Sequence, residues 1–350
     1  MKLRERGITI GQLPVGKKNC ITDVDGVRVG HVTLDYSFED HEGDYACTGV
    51  TAILPHSGNL FKEKVTAASY VLNGFGKTTG LVQVNELGII ESPIMLTNTF
   101  GVPAVAEGTL RYMLAENAEI GDTTGTINLV VGECNDSNLN SIRRLPVEPK
   151  HAIEAIKNAS YQTAAEGAVG AGKGMVCFGY KGGIGSSSRI IKTEDSNHTY
   201  TVGCLVLSNF GGKDEFQHWK YAAHKKGQAP SLSKTTDGSI IIVLATDAPL
   251  SSRQLQRVAK RCGIGLGRTG SHFSHGSGDI VIAFSTAHKI PHYTEDNVEV
   301  RTQLREDHPL MNQLFTAAAE AAEEAILNSL SQAITTEGRN GQIVHAFPFC

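Results

Sequence analysis

The run SIIIVLAT, residues 239–246, contains no charged side chain. Side chains of a strand leave alternately to two faces, so a run that is apolar at consecutive positions needs cover on both sides. The β-branched runs YTVGCLVLSNF (200–210) and DIVIAFST (279–286) make the same demand. Shorter strand patterns stand at 26–34, 48–54, 126–133 and 174–180. The cover has to come from helices. In 251–266, Leu255, Val258, Ala259, Cys262 and Leu266 fall on one helical stripe, and 151–167 and the alanine-rich 308–330 also read as helices. The segments alternate without an internal repeat or a low-complexity linker. We therefore expect a single domain over 1–350 of the α/β class, in which helices cover a central pair of sheets. Residues 210–238 break the pattern. They are polar, basic and poor in strand signal, and they predict a long exposed loop leading straight into SIIIVLAT.

Composition excludes several classes. Thirty-two Lys and Arg against 36 Asp and Glu give a net charge of −4 without a basic run, so nucleic acid is not an expected partner. The opening MKLRERGITIGQLP lacks the apolar core of a secretory signal, and no stretch approaches the ~18 apolar residues of a membrane span. The seven cysteines, Cys350 among them, form an odd set without a CxxC pair, which suits reduced thiols in a cytoplasmic protein better than a disulfide framework or a zinc site.

Several local patterns could carry chemistry. GAVGAGKG, with Gly167, Gly172 and Lys173, matches most of a phosphate-binding loop, but Gly174 stands where the magnesium-ligating hydroxyl belongs. The strand also follows this loop instead of preceding it. A backbone turn beside a site is the better reading. HFSHGSGD brings His272, His275 and Asp279 close in sequence, with His288 and His292 beyond, but not in the helical spacing of a zinc hydrolase. In the same loop Ser277 and Asp279 are two residues apart and would share one side of a strand, where they can hold a hydroxyl or an amine. Cys134 sits between Glu133 and Asp136 nearby, which discourages a thiolate. No GxSxG elbow occurs.

Ser239 poses a sharper question. A serine hydroxyl needs a base, and one source is the residue's own α-amine, which exists only if the preceding peptide bond is cut. Such an amine has a pKa of ~7.7–8.0 and is partly unprotonated at neutral pH. Gly238 before it imposes no Cβ on an attack at its carbonyl. Alone, Asp-Gly-Ser is more often a plain turn before a strand.

Taken together, GECNDSNLN (132–140), GAVGAGKG (167–174), GYKGGIGSSSR (179–189), YTVGCLVLSNFG (200–211), DGSIIIVLATDAPL (237–250) and TGSHFSHGSGDIVIAFST (269–286) resemble the L-aminopeptidase/D-esterase and β-peptidyl aminopeptidase family over nearly the whole chain. The resemblance implies a four-layer αββα sandwich of N-terminal-nucleophile-hydrolase type with ornithine-acetyltransferase-like topology. It implies a precursor that cuts itself between Gly238 and Ser239 into a large part, 1–238, and a small part, 239–350. By motif, Ser239 is the nucleophile, Ser277 and Asp279 its partners, and Asn209 the oxyanion donor, whereas the adjacent Ser208 lacks the strand-start context. Glu133, with Asn135 beside it, corresponds to the acid that holds a substrate ammonium. Asp279 departs from the family pattern, which has glutamate there. The implied substrates are short peptides, amino acid amides or esters, with no metal or organic cofactor, and the implied assembly is a homo-oligomer of processed units. Two rivals stay open: an ornithine acetyltransferase-like acyl transferase, whose nucleophile is threonine, and an unprocessed binding protein on the same scaffold.

Overall fold

The computed structural model describes residues 1–193, 198–221 and 238–349. One sheet holds, in spatial order, β1 (Arg28–Ser37), β2 (Tyr45–Leu54), β5 (Ile94–Asn98) and β6 (Val130–Cys134). Its β5–β6 pair is parallel and the others antiparallel. The second holds β4 (Ile89–Ile90), β3 (Glu63–Gly74), β12 (Gly278–Pro291), β11 (Ser239–Thr246), β10 (Thr199–Asn209) and β9 (Gly183–Lys192). Here β11–β12 is the parallel pair. Two small hairpins, β7 (Val176–Cys177) with β8 (Tyr180–Lys181) and β13 (Thr336–Glu337) with β14 (Ile343–Val344), lie outside the sheets. The helices are α1 (Leu81–Leu87), α2 (Val102–Glu116), α3 (Pro149–Lys157), α4 (Ser252–Ala259), α5 (Cys262–Thr269) and α6 (Leu310–Ser331).

Strand alternation builds the layers. Ile241, Val243 and Ala245 of β11 pack with Ile53, Leu96 and Val130 of the other sheet. Their neighbours Ile240, Ile242 and Leu244 turn to the other face, against Leu255 and Val258 of α4 and Ala321 and Ala325 of α6. Across the molecule, Ala52, Leu54, Met95 and Val131 meet Val105 of α2 and Ala152 and Ile156 of α3. The order is helices, sheet, sheet, helices, and all eight residues of SIIIVLAT are buried. Each fully buried Ile, Leu or Val in this stack contributes about 1.5–3 kcal/mol. Close approach of α6 depends on Gly185, where a Cβ would stand 2.0 Å from Ala325 O. Arg189 is wholly buried beneath α6 and is paired with Glu320 (3.0 Å) and Glu324 (2.8 Å).

Three elements depart from expectation. The helix expected over 151–167 stops at Lys157 because Ser160 instead exchanges backbone hydrogen bonds of 3.1 Å with Val29, adding to the edge of β1. The helix expected over 251–266 breaks at Lys260–Arg261 into α4 and α5, and the redirected α5 lays Gly265 against α6, where a Cβ would meet Ala319 O at 2.3 Å. The run at 174–180 is a hairpin, since Phe178 and Gly179 both have positive φ (52° and 68°), the requirement of a tight two-residue turn. Of the loop expected over 210–238, residues 222–237 lie outside the described residues, as does Cys350.

Candidate active site

Register places Ser239. It opens β11, opposite Asn209 at the end of β10 and opposite Gly278 at the start of β12. Its Oγ donates to the carbonyl oxygen of Gly238 at 2.7 Å, and Gly278 N–H donates to that same oxygen and to Ser239 Oγ, each at 3.2 Å. Gly238 is required here for a steric reason: a Cβ would meet Phe210 Cα at 2.5 Å and Asn209 O at 2.7 Å. Only a bare backbone can thread between the end of β10 and the Ser239 hydroxyl.

Ser277 and Asp279 flank Gly278. Ser277 Oγ donates to Asp279 Oδ1 at 2.6 Å, so the two side chains do share one side of the chain. Alternation sends them to the opposite side of the pleat from Ser239. Among the described residues no hydrogen bond joins either to the Ser239 hydroxyl. Asp279 is fully buried, and among the described residues its Oδ2 has no hydrogen-bond partner. Burial pushes its pKa up to about 6, against the opposing hydrogen bond from Ser277.

Asn209 is held at both ends of its amide. Oδ1 accepts from Val176 N–H and Nδ2 donates to Asn135 O, both at 2.9 Å, which leaves the second Nδ2 hydrogen without a partner among the described residues. Val176 is positioned by the glycine loop 167–174 and by Lys181. The Lys181 ammonium, fully buried, donates to the carbonyls of Gly172 (3.0 Å), Met175 (2.8 Å) and Gly182 (2.8 Å), and burial lowers its pKa to about 7. That loop is a structural turn beside the site, and its Lys173 is tied to Asp35 at 2.7 Å.

Ser239, Gly238, Asn209 and Val176 lie on the wall of a cavity of about 810 Å³. Glu133 and Asn135 border it too, arriving from the end of β6 in the other sheet. Glu133 accepts from Lys77 N–H at 2.7 Å and from the Thr99 hydroxyl. Asn135 is exposed, and its Oδ1 caps Ser137 N–H at 3.0 Å. Ser277 and Asp279 are not part of the lining. Residues without a sequence signal complete it: Phe75 and Lys77 after β3, Lys213 after β10, and Gln342 to His345 near the carboxyl end.

The competing readings lose their geometry. Cys134 is buried with Sγ toward Leu207 O at 3.5 Å, and burial, then the charge of Glu133, raises its thiol pKa well above the ordinary value. Ser208 faces α6, bonding to Ser329 Oγ at 2.6 Å. The histidines disperse. His275 lies beside Phe75, His288 reaches Thr302 O, and His292 sits between Lys64 and Thr124. Among the described residues no three His, Cys, Asp or Glu side chains converge in a metal-binding group.

Four layers around a serine at the head of a doubly covered strand define a hydrolase of the N-terminal-nucleophile fold class. Comparison with known proteins agrees. The model of peptidase family S58 matches residues 19–344. The β-peptidyl aminopeptidase BapA of Sphingosinicella microcystinivorans is 38% identical over 99% of this chain and 89% of its own. A solved Pyrococcus horikoshii OT3 protein superposes with a TM-score of 0.88 at 48% identity, covering 99% of this chain and 96% of that one. The L-aminopeptidase D-Ala-esterase/amidase of Ochrobactrum anthropi, described as a variant of the Ntn hydrolase fold, gives 0.88 at 32% identity over 99% and 95%. The chain belongs to peptidase family S58, and it is an aminopeptidase. Among the described residues no helix is long and apolar enough to cross a membrane.

Proposed function

We propose that the chain is a precursor that cuts its own Gly238–Ser239 bond and then hydrolyses the first residue from short peptides, amino acid amides or esters through Ser239. The observation that carries this reading is the contact of Ser239 Oγ with the Gly238 carbonyl oxygen (2.7 Å) on the wall of the large cavity. In the cut, Oγ adds to the Gly238 carbonyl carbon while Gly278 N–H holds the carbonyl oxygen. The C–N bond breaks, the Ser239 nitrogen takes the proton, and water hydrolyses the ester to leave a Gly238 carboxylate, a free hydroxyl and a free α-amine.

The amine then serves as base. It takes the proton from Ser239 Oγ as that oxygen attacks the substrate carbonyl, and it returns the proton to the leaving amine or alcohol. Water releases the acylated residue. The free Nδ2 hydrogen of Asn209 is the side-chain donor for the developing oxyanion, with its amide fixed by Val176 and Asn135. Once the peptide is cut, the α-amine is a rotatable end group able to swing toward Ser277 and the unpartnered Oδ2 of Asp279. The shorter aspartate would require that swing in place of a direct reach. Glu133 receives the substrate ammonium beside Asn135. Assembly into a homo-oligomer of cut units and a cytoplasmic location belong to the same proposal.

The experiment is the variant Ser239→Ala. It should accumulate as one chain of full length, without activity on aminoacyl p-nitroanilides, whereas the unaltered protein becomes two associated fragments. An unaltered protein that hydrolyses these substrates without being cut would refute the N-terminal mechanism.

A further inference from the structure

The charges around the cavity are distributed unevenly. Among the described residues the one acid on its wall is Glu133, and two lysines, Lys77 and Lys213, also border it. Neither lysine has a carboxylate partner among the described residues. Six lysines elsewhere are tied to an acid, among them Lys173 to Asp35 and Lys64 to Glu91. Each of the two cavity lysines is instead laid over an aromatic ring, Lys77 Nζ 4.7 Å from the centroid of Phe75 and Lys213 Nζ 4.9 Å from that of Tyr180. Ring stacking restricts a long side chain without neutralising it, so the ammonium stays available to an anion.

The two lysines differ in place. Lys77 is joined through its own backbone N–H to Glu133, so it belongs to the wall that holds the acid. Lys213 belongs to a different wall, formed by the segment after β10 and the hairpin turn at Gly179, where a Cβ would meet Lys213 Cγ at 2.7 Å. The turn glycine thus gives the lysine stem its bed. The carboxyl-terminal segment closes the same wall: Tyr180 stacks edge-on with Phe347 at 5.0 Å, and His345 borders the cavity. A ligand held by its ammonium at Glu133, with its carbonyl at Ser239, has its far end free to meet a cation on another wall.

We propose that Lys213 is a specificity residue that receives a carboxylate on the leaving side of the scissile bond, so that the preferred substrates are short peptides with a free carboxyl end rather than their amides or esters. This rests on the reading of Ser239 as nucleophile and of Glu133 as the ammonium site, and it adds the second pole. An acidic side chain on the leaving residue offers the same chemistry as a terminal carboxylate, so the test separates the two.

The test compares kcat/KM on three substrates sharing one accepted first residue: a free dipeptide ending in Ala, its C-terminal amide, and the amide of the corresponding dipeptide ending in Asp. The processed protein should favour the free dipeptide over its amide by about two- to fivefold, the range of one charge pair at an exposed position such as Lys213. In Lys213→Met that ratio should fall to about one through a rise in KM for the free acid. Lys213→Glu should invert it, and Lys213→Arg should keep it. Normal cutting of each variant into two fragments reports that it has folded. If the Asp-ending amide also gains over the Ala-ending amide and loses that gain in Lys213→Met, the lysine reads carboxylates from either source. If only the free dipeptide gains, it reads the chain end. A ratio of one in the unaltered protein, or one unmoved by Lys213→Met, overturns the inference while leaving the nucleophile intact. No hydrolysis of any of the three would refute the underlying reading instead.

Discussion

Replacing Gly238 by alanine adds one methyl group, and its consequences can be worked from the structure. The new Cβ would stand 2.5 Å from Phe210 Cα, 2.7 Å from Asn209 O and 3.1 Å from Phe210 Cβ. Ordinary carbon contacts lie at about 3.5–4.0 Å, so the start of β11 has to part from the end of β10 by about 1 Å. Two of the three obstructing atoms are backbone, and no rotamer change relieves them. Overpacking of this kind costs about 1–3 kcal/mol, which a domain with several buried layers tolerates. The effect on chemistry should be larger. Moving a reacting hydroxyl by about 1 Å reduces rates by roughly 10²-fold, and the Asn209–Ser239 register is what aligns Oγ with the Gly238 carbonyl. The assay is a time course of cutting after synthesis in vitro, read as the fraction of full-length chain on a denaturing gel. Gly238→Ala should be cut about 10²-fold more slowly, whereas Gly267→Ala, a helical position with nothing within 4 Å of the added Cβ, should be cut normally. Cutting of Gly238→Ala at the unaltered rate, in folded protein, would refute the argument that close strand approach positions the attack.

Other perturbations test the energetics. Arg189→Met strands the buried carboxylate of Glu320 and leaves Glu324 with Arg4 at 3.0 Å, so it should lower stability by about 3–5 kcal/mol, measured as a shift in denaturation midpoint. Adding Glu320→Gln to that variant should recover part of the loss. Burial raises the folded pKa of Asp279 to about 6, above the ~3.9 of an unfolded aspartate, so its contribution is fully present below about pH 4 and is lost as pH rises through about 6. In an uncut Ser239→Ala background, Asp279→Asn should therefore match the parent near pH 4 and exceed it by about 1–3 kcal/mol at pH 7. In the active protein the same change should abolish most turnover at every pH, separating the cost of the carboxylate from its use.

The parts of the fold that were legible in the sequence were those whose burial is two-sided. SIIIVLAT coincides with β11, the run at 200–210 overlaps β10 in all but the strand's first residue, and the run at 279–286 falls within the longer β12. β3 and β9 escaped because EKVTAASYVLNG and GIGSSSRIIK are built from small and polar residues, which serve close helix packing and buried hydrogen bonds in place of bulk. α2 escaped too. Its sequence, VPAVAEGTLRYMLAE, carries a proline and a glycine that weaken the helical signal, yet Gly108 is needed where a Cβ would meet Pro149 O at 2.1 Å. Of the site, the Ser277–Asp279 pair followed from its spacing. The meeting of Ser239 with Asn209 is a matter of strand register, and Glu133 comes from a different sheet, so only family resemblance pointed to them. Lys77, Lys213 and the carboxyl-terminal wall carry no local motif, since a cavity formed by distant loops leaves no periodicity to read.

The central claim is that Ser239 becomes the first residue of a second chain, and the amino-terminal sequence of the smaller fragment of the purified, active protein tests it most directly. The account predicts SIIIV, with a free α-amine on the serine. A fragment beginning at any other residue, or full activity in a chain that remains whole, would contradict it.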